Sequence, residues 1–214
     1  MFVDLLLERI GGFVVLLLSL TVHEWAHAWT ASRLGDRTAQ SKGRVSLDPT
    51  AHMDPIGTFV LPLLGVPFGW AVPVPVEPTR FRADITMARG MMWTAAAGPL
   101  ANLVLAALGC VLVWLQGEPM GRLGQGWATL VDTAVVLNVC LAVFNLLPLP
   151  PLDGSRVVDA FLPNAWRSAW ALLQNASGIP LAVVVVLPIV LGVSPFLGLV
   201  TAILRGLAAL RAGG

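Results

Sequence analysis

Residues 9–27 read RIGGFVVLLLSLTVHEWAH, an uncharged and largely apolar run from Ile10 to Val22 that ends in His23-Glu24-Trp25-Ala26-His27. The pattern predicts one continuous helix from Leu5 to Arg33, about 43 Å long at ~1.5 Å per residue, which is enough to cross a bilayer with tilt. Arg33 and Gly35 mark its end. Asp4 and Glu8 make its leading end acidic and no small-residue cleavage site follows the apolar core, so it reads as a retained helix and not as a secretory signal. On a helix, residues four apart share a face, so His23 and His27 can converge on one cation while Glu24 is placed to reach a water beside it. The bland alternative is a pair of histidines and a glutamate bonded to neighbouring helices. Ionisable groups inside an apolar helix are expensive and usually functional.

The rest of the 214-residue chain agrees with a membrane setting. Hydrophobic residues make up 57% and charged residues 12%, about half the usual charged fraction, with a mean hydropathy of +0.80. An ordinary cytosolic enzyme is excluded. Further uncharged stretches run from Gly90 to Gly117, Thr133 to Leu152 and Ser168 to Leu204, each reaching the ~20 residues that a spanning helix needs. The 13 Lys and Arg are dispersed and the net charge is +1, which gives no reason to expect a nucleic-acid partner. Cys110 and Cys140 fall inside expected spans and read as small apolar packing residues.

The expected fold is all-α and polytopic, with about four to six transmembrane helices. The second helix is expected from about Gly90 to Gln116 and the third from about Ala128 to Leu147. The Gly117–Trp127 connection is too short for an inserted folded module. Between Leu34 and Arg89 the chain turns polar and then Pro-rich. Pro73 and Pro75 alternate with Val72, Val74 and Val76, which predicts an extended edge strand within a re-entrant segment, Gly57 to Val76, that returns to the side it left. Ser155–Gln174 reads as an interfacial amphipathic helix. The tail from Ile179 to Leu210, broken by Pro180, Pro188 and Pro195, reads as one kinked span or two short ones. All 214 residues form a single domain on this reading, with a core of about 5–165 and a C-terminal helical part of about 166–214. Arg33, Arg37, Lys42, Arg44, Arg80, Arg82, Arg89, Arg156 and Arg167 crowd one face, which the positive-inside rule makes cytoplasmic, leaving the N-terminus outside.

Two histidines leave a catalytic zinc site one protein ligand short. Beyond the motif the only Glu residues are Glu77 and Glu118, both in loops, so a helical Glu ligand is disfavoured. Asp153 closes the stretch Asn145-Leu-Leu-Pro148-Leu-Pro150-Pro151-Leu-Asp153-Gly154 at the cytoplasmic end of the third helix, at a depth similar to the histidine pair. Its bland alternative is an N-cap for the following helix. His52, near Asp48 and Asp54, reads as a local turn residue or as one touching the site. Asn102 reads as an interhelical hydrogen-bonder or as support for a ligand.

With these motifs in hand, the sequence resembles the site-2 proteases, intramembrane zinc metalloproteases, in their compact prokaryotic form without a PDZ domain. The resemblance rests on His23–His27, on Asn145–Gly154 as N-x-x-P-x-P-x-x-D-G, and on His52–Gly57, Gly69–Pro75 and Ala97–Asn102 in the expected order across roughly residues 20 to 160. It implies one zinc per chain held by His23, His27 and Asp153, Glu24 as general base, and Asn145 binding substrate or steadying the oxyanion. The implied substrates are membrane proteins cleaved within or near a transmembrane segment, in a prokaryotic inner membrane. A substrate helix must unwind before cleavage, and Val72, Val74 and Val76 could receive the unwound stretch by strand addition. The competing reading is a metal-binding membrane protein without hydrolysis, either a transporter or an inactive relative. Adaptor proteins and oligomeric state are not legible.

Overall fold

The computed structural model describes residues 2–60, 70–116, 121–176 and 197–212. Its elements are α1 (Phe2–Arg33), a short α2 (Thr38–Ser41), α3 (Met87–Gln116), α4 (Gly121–Asn145), α5 (Asp153–Asp159), α6 (Arg167–Asn175) and α7 (Leu197–Ala212), with short 3-10 and π turns between α2 and α3. Among the described residues, three helices are long and apolar enough to cross a membrane: Arg9–Arg33, Met87–Gln116 and Gly124–Asn145. The chain is an integral membrane protein of the all-α polytopic class. Much of the outer surface is apolar, including Ile10, Val14 and Leu18 on α1 and Leu100, Val104, Leu108 and Leu112 on α3. Lipid and not water is the solvent that such a face fits.

Contacts fix the register of the three spans. Ser19 on α1 lies beside Asn138 on α4, and Gly11 lies against Leu130, so these two helices run parallel. Thr94 and Asn102 on α3 meet His27 and His23, respectively, so α3 runs antiparallel to α1. Gly109 on α3 has no room for a Cβ because Val135 of α4 occupies it. Ala106, Val113, Val131, Val135 and Leu207 form a buried core that joins α3, α4 and α7. Beside it Arg211 of α7 makes a bidentate ion pair with Asp132 of α4, at 2.6 and 2.8 Å.

The end of α1 is built as a Schellman turn. Gly35 has φ +112°, its N–H donates to Ser32 O at 3.1 Å, and the N–H of Asp36 donates to Ala31 O at 3.0 Å. A Cβ at Gly35 would also strike the Arg82 backbone. Asp36, fully buried, then accepts from the Thr38 N–H and hydroxyl and from the Glu77 N–H at 2.7 Å. One carboxylate therefore ties the end of α1 to the Pro-rich segment.

Several sequence expectations shift. The second span begins at Met87 and not near Gly90, because Thr86 caps it, its hydroxyl accepting from the Arg89 N–H. The third span is Gly121–Asn145, starting before the expected Ala128 and ending before the expected Leu147. The single amphipathic helix expected over Ser155–Gln174 is two pieces, α5 and α6, separated around Pro163, which has no N–H to continue a helix. No strand occurs among the described residues. Residues 70–77 belong to no sheet ladder, and the amides of Trp70, Val72, Val74 and Glu77 donate to groups outside any strand. The centre of the expected re-entrant excursion, 61–69, lies outside the described residues, but its flanks meet: the Trp70 N–H donates to Gly57 O at 3.3 Å, and the Trp70 carbonyl accepts from the Thr58 hydroxyl at 2.9 Å. Much of the tail expectation, residues 177–196, likewise lies outside the described residues.

Candidate active site

His23 and His27 sit one turn apart on the inward face of α1, 4% and 7% exposed. Their rings are T-shaped with centroids 4.6 Å apart, and both Nε2 atoms point to one spot, 3.0 Å from each other. Asp153 Oδ2 completes a triangle, 3.2 Å from His23 Nε2 and 3.3 Å from His27 Nε2. The rings can lie there because α3 has Gly98 opposite them, where any Cβ would collide with both imidazoles.

Asp153 is the first residue of α5, and the capping position is Leu152, with no side-chain cap bond. The carboxylate is thus free of capping duty. Its placement depends on the break after α4: Leu147 to Pro151 turns the chain, with a cis Pro150–Pro151 bond, and Gly154 packs on the Leu146 and Leu147 carbonyls with no room for a Cβ.

The hydrogen bonds behind the rings decide what the triangle can hold. His27 Nδ1 donates to the Thr94 carbonyl at 2.6 Å. A carbonyl can only accept, so that nitrogen carries the proton, and in the neutral ring Nε2 presents a lone pair. His23 Nδ1 meets Asn102 Oδ1 at 2.5 Å with the same consequence. Two lone pairs and a carboxylate oxygen then face one another without a hydrogen between them. They repel unless a cation stands at their centre. Tetrahedral zinc ligands at bond lengths of ~2.0–2.1 Å are roughly 3.3 Å apart, close to the three separations found, and all three atoms lie within 4.8 Å of one another. The set fits a divalent cation with one coordination position left open.

Glu24 follows on the same helix, partly buried, and its Oε2 accepts from the Val74 backbone N–H at 3.2 Å. Val72 is held by its own N–H, donating to His52 O at 2.8 Å, and by Arg44, whose guanidinium donates to Val72 O. With Pro73 and Pro75 lacking donors, the N–H groups of Val72 and Val74 are already engaged. Val76 lies farther along the same extended stretch. His52 is buried, with Nε2 donating to Ser46 O at 2.8 Å, so its ring secures the loop that anchors Val72. Asn145, at the last position of α4, donates to Leu141 O at 3.0 Å.

Sequence reasoning named His23, Glu24, His27 and Asp153, and the structure brings them together. It missed Gly98, Thr94, Asn138 and Ser19. A glycine within an Ala-rich helix segment, Ala95 to Gly98, was a signal for close approach that could have been read. Asn138, an amide in the middle of an otherwise apolar span, was another.

Comparison with known proteins agrees with this geometry. Residues 121–189, which include the Asn145–Gly154 stretch, match the model of Peptidase family M50. The chain is 36% identical over 180 residues to "Putative zinc metalloprotease YwhC" of Bacillus subtilis (strain 168), covering 82% of this chain and 80% of that protein. It is 30% identical over 186 residues to Rip2 of Mycolicibacterium smegmatis, covering 85% of this chain and 70% of Rip2. Against Rip3 of Mycobacterium tuberculosis (strain ATCC 25618 / H37Rv) it is 31% identical over 191 residues, which is 87% of this chain but 39% of Rip3. Rip2 and Rip3 bear the same "Putative zinc metalloprotease" designation. No solved structure matches the chain. With four-fifths of YwhC aligned at 36% identity and His23, His27 and Asp153 gathered at one point, the chain belongs to peptidase family M50, the site-2 proteases.

Proposed function

We propose that this single-domain chain hydrolyses peptide bonds within or near the transmembrane segments of membrane proteins, with one zinc held by His23, His27 and Asp153. The observation that carries the reading is the triangle of Nε2, Nε2 and Oδ2 at 3.0–3.3 Å with Glu24 beside it. Zinc bound there supplies a Lewis acid that makes water nucleophilic near neutral pH. Glu24 accepts the proton of the attacking water and passes it to the leaving amine. His27 and His23 are each held through Nδ1 to a fixed acceptor, and Asp153 would contribute the anionic ligand. Asn145 donates from Nδ2 to the substrate carbonyl, exchanging its present bond to Leu141 O for one that strengthens as the oxyanion forms. An unwound substrate segment lies along 72–76. Because the Val72 and Val74 amides are engaged, that edge offers a partner chiefly its carbonyl oxygens. His52 acts there indirectly, by anchoring Val72.

The site opens toward the cytoplasmic face of a prokaryotic cell membrane, with the N-terminus outside, on the strength of the basic residues crowding 33–89 and Arg156 and Arg167. Retention of Glu24 favours hydrolysis over a role as a metal-binding protein alone, which has no need of a base.

The test is purification in detergent, a zinc count, and incubation with a panel of single-span membrane proteins, comparing wild type with Glu24→Gln. One zinc per chain and cleavage by wild type alone are expected. Wild type that takes up zinc and cleaves nothing across the panel, or cleavage unchanged in Glu24→Gln, overturns the reading.

A further inference from the structure

Behind His23 lies a buried polar cluster that joins the three spanning helices and touches neither Glu24 nor Asp153. Asn102 of α3 is fully buried, and Asn138 of α4 and Ser19 of α1 are nearly so. Asn102 Nδ2 donates to Asn138 Oδ1 at 2.7 Å and lies 3.4 Å from Ser19 O. Asn138 Nδ2 donates to Ser19 Oγ at 2.9 Å and to Ala134 O at 2.8 Å.

The direction of every bond in this cluster follows from one fixed acceptor. The Ala134 carbonyl cannot donate, so Asn138 must present Nδ2 to it and Oδ1 to Asn102. Asn102 must then turn its own Nδ2 toward Asn138, a choice reinforced by the Ser19 carbonyl, and its Oδ1 toward His23. An amide oxygen accepts, so His23 Nδ1 holds the proton and Nε2 holds the lone pair. Reversal of either amide would present an N–H to His23 Nδ1 and move the ring proton to Nε2, where it would block a cation. His27 needs no such relay, because a backbone carbonyl sets its tautomer directly.

We propose that Asn138 is a positioning residue for His23, acting through Asn102 to keep the imidazole in its Nδ1–H tautomer. This rests on the reading of His23 as a zinc ligand. The relay spans α4, α3 and α1, so the tautomer of one ligand depends on the packing of all three. In hydrocarbon surroundings no water competes for these amides, so each orientation is held by its neighbour alone.

Two substitutions at one position separate positioning from mere stability. Asn138→Leu removes the acceptor that orients Asn102. Asn138→Asp, neutral in this setting, keeps a carbonyl oxygen for Asn102 and an O–H for Ala134 O or Ser19. In full-length protein in detergent, zinc affinity is measured by chelator competition, and the His23 tautomer by 15N spectra of histidine-labelled, zinc-free protein, with His23→Gln giving the assignment. Asn138→Leu is expected to bind zinc roughly 10- to 100-fold more weakly and to show a mixture of His23 tautomers. Asn138→Asp is expected to stay close to wild type in both. If Asn138→Leu does not fold, Ser19→Ala, which removes one acceptor from Asn138, is expected to shift both readouts in the same direction by less. Unchanged zinc affinity and tautomer in folded Asn138→Leu, or equal losses in the Leu and Asp variants, overturn the proposal. A wild-type chain that takes up no zinc yet shows the Nδ1–H tautomer, lost in Asn138→Leu, overturns the ligand reading and leaves the relay standing.

Discussion

The backbone N–H of Val74 donates to Glu24 Oε2 across 3.2 Å. The Pro-flanked segment and the candidate base are therefore one assembly. Pro73 and Pro75 remove donors on either side, and the Val74 amide is the one that reaches the carboxylate. A donor on the carboxylate fixes its orientation.

Val74→Pro deletes that donor while leaving the residue apolar. Hydrogen bonds to charged groups contribute about 1.5–3 kcal/mol, so cleavage is expected to slow roughly tenfold to hundredfold with zinc content unchanged, and Val74→Ala is expected to stay near wild type. Full activity in Val74→Pro, measured against zinc content on the same preparation, would separate the segment from the base.

Glu24→Gln is expected to retain zinc and to lose at least ~10²-fold in cleavage, the lower end of what general base catalysis contributes. The amide keeps its shape but cannot take a proton. Asp153→Ala is expected to lose zinc itself, so the two variants part company in a metal count.

Gly98→Ala places a methyl group into both imidazoles. Overpacking costs typically ~1–3 kcal/mol, and here the parts forced to move are His23 and His27. Zinc affinity is expected to fall along with the melting temperature. An alanine variant with wild-type metal binding would mean that α1 and α3 can separate without disturbing the site.

Asp132 and Arg211 are joined by two bonds of 2.6 and 2.8 Å and are partly buried, so the cost of losing one partner lies toward the low end of what a buried pair shows. Removing one partner of a buried pair typically costs ~3–5 kcal/mol. Arg211→Ala and Asp132→Ala are each expected to destabilise the protein by about the lower of these figures. The exchange Asp132→Arg with Arg211→Asp is expected to recover part of the loss in detergent unfolding. Additive losses in the exchanged protein would deny the pair its role.

How much was legible depended on whether a feature is local in sequence. The α1 span and the metal pair on its inward face follow from hydropathy and from the i, i+4 spacing of His23 and His27. Asp153 was reachable because so few carboxylates compete for the third position. Gly98, Thr94 and Asn138 escaped because their roles exist only after helices pack in a particular register, and Thr94 contributes a backbone carbonyl that any residue carries. The extended reading of 72–76 came from alternation, but alternation does not name a partner: side chains, a loop carbonyl and Glu24 take the places of a neighbouring strand. Pro163 was visible all along, and its power to divide one amphipathic helix into α5 and α6 was underweighted.

The triangle draws two corners from α1 and the third from the far side of the α3–α4 hairpin. During synthesis, from N- to C-terminus, both imidazoles leave the ribosome long before Asp153 does, and the carboxylate reaches them only after two further helices have entered the bilayer. Until then the chain lacks the third of the three groups proposed to hold zinc. On the proposed reading, cleavage of a neighbouring membrane protein cannot begin before that hairpin is in place.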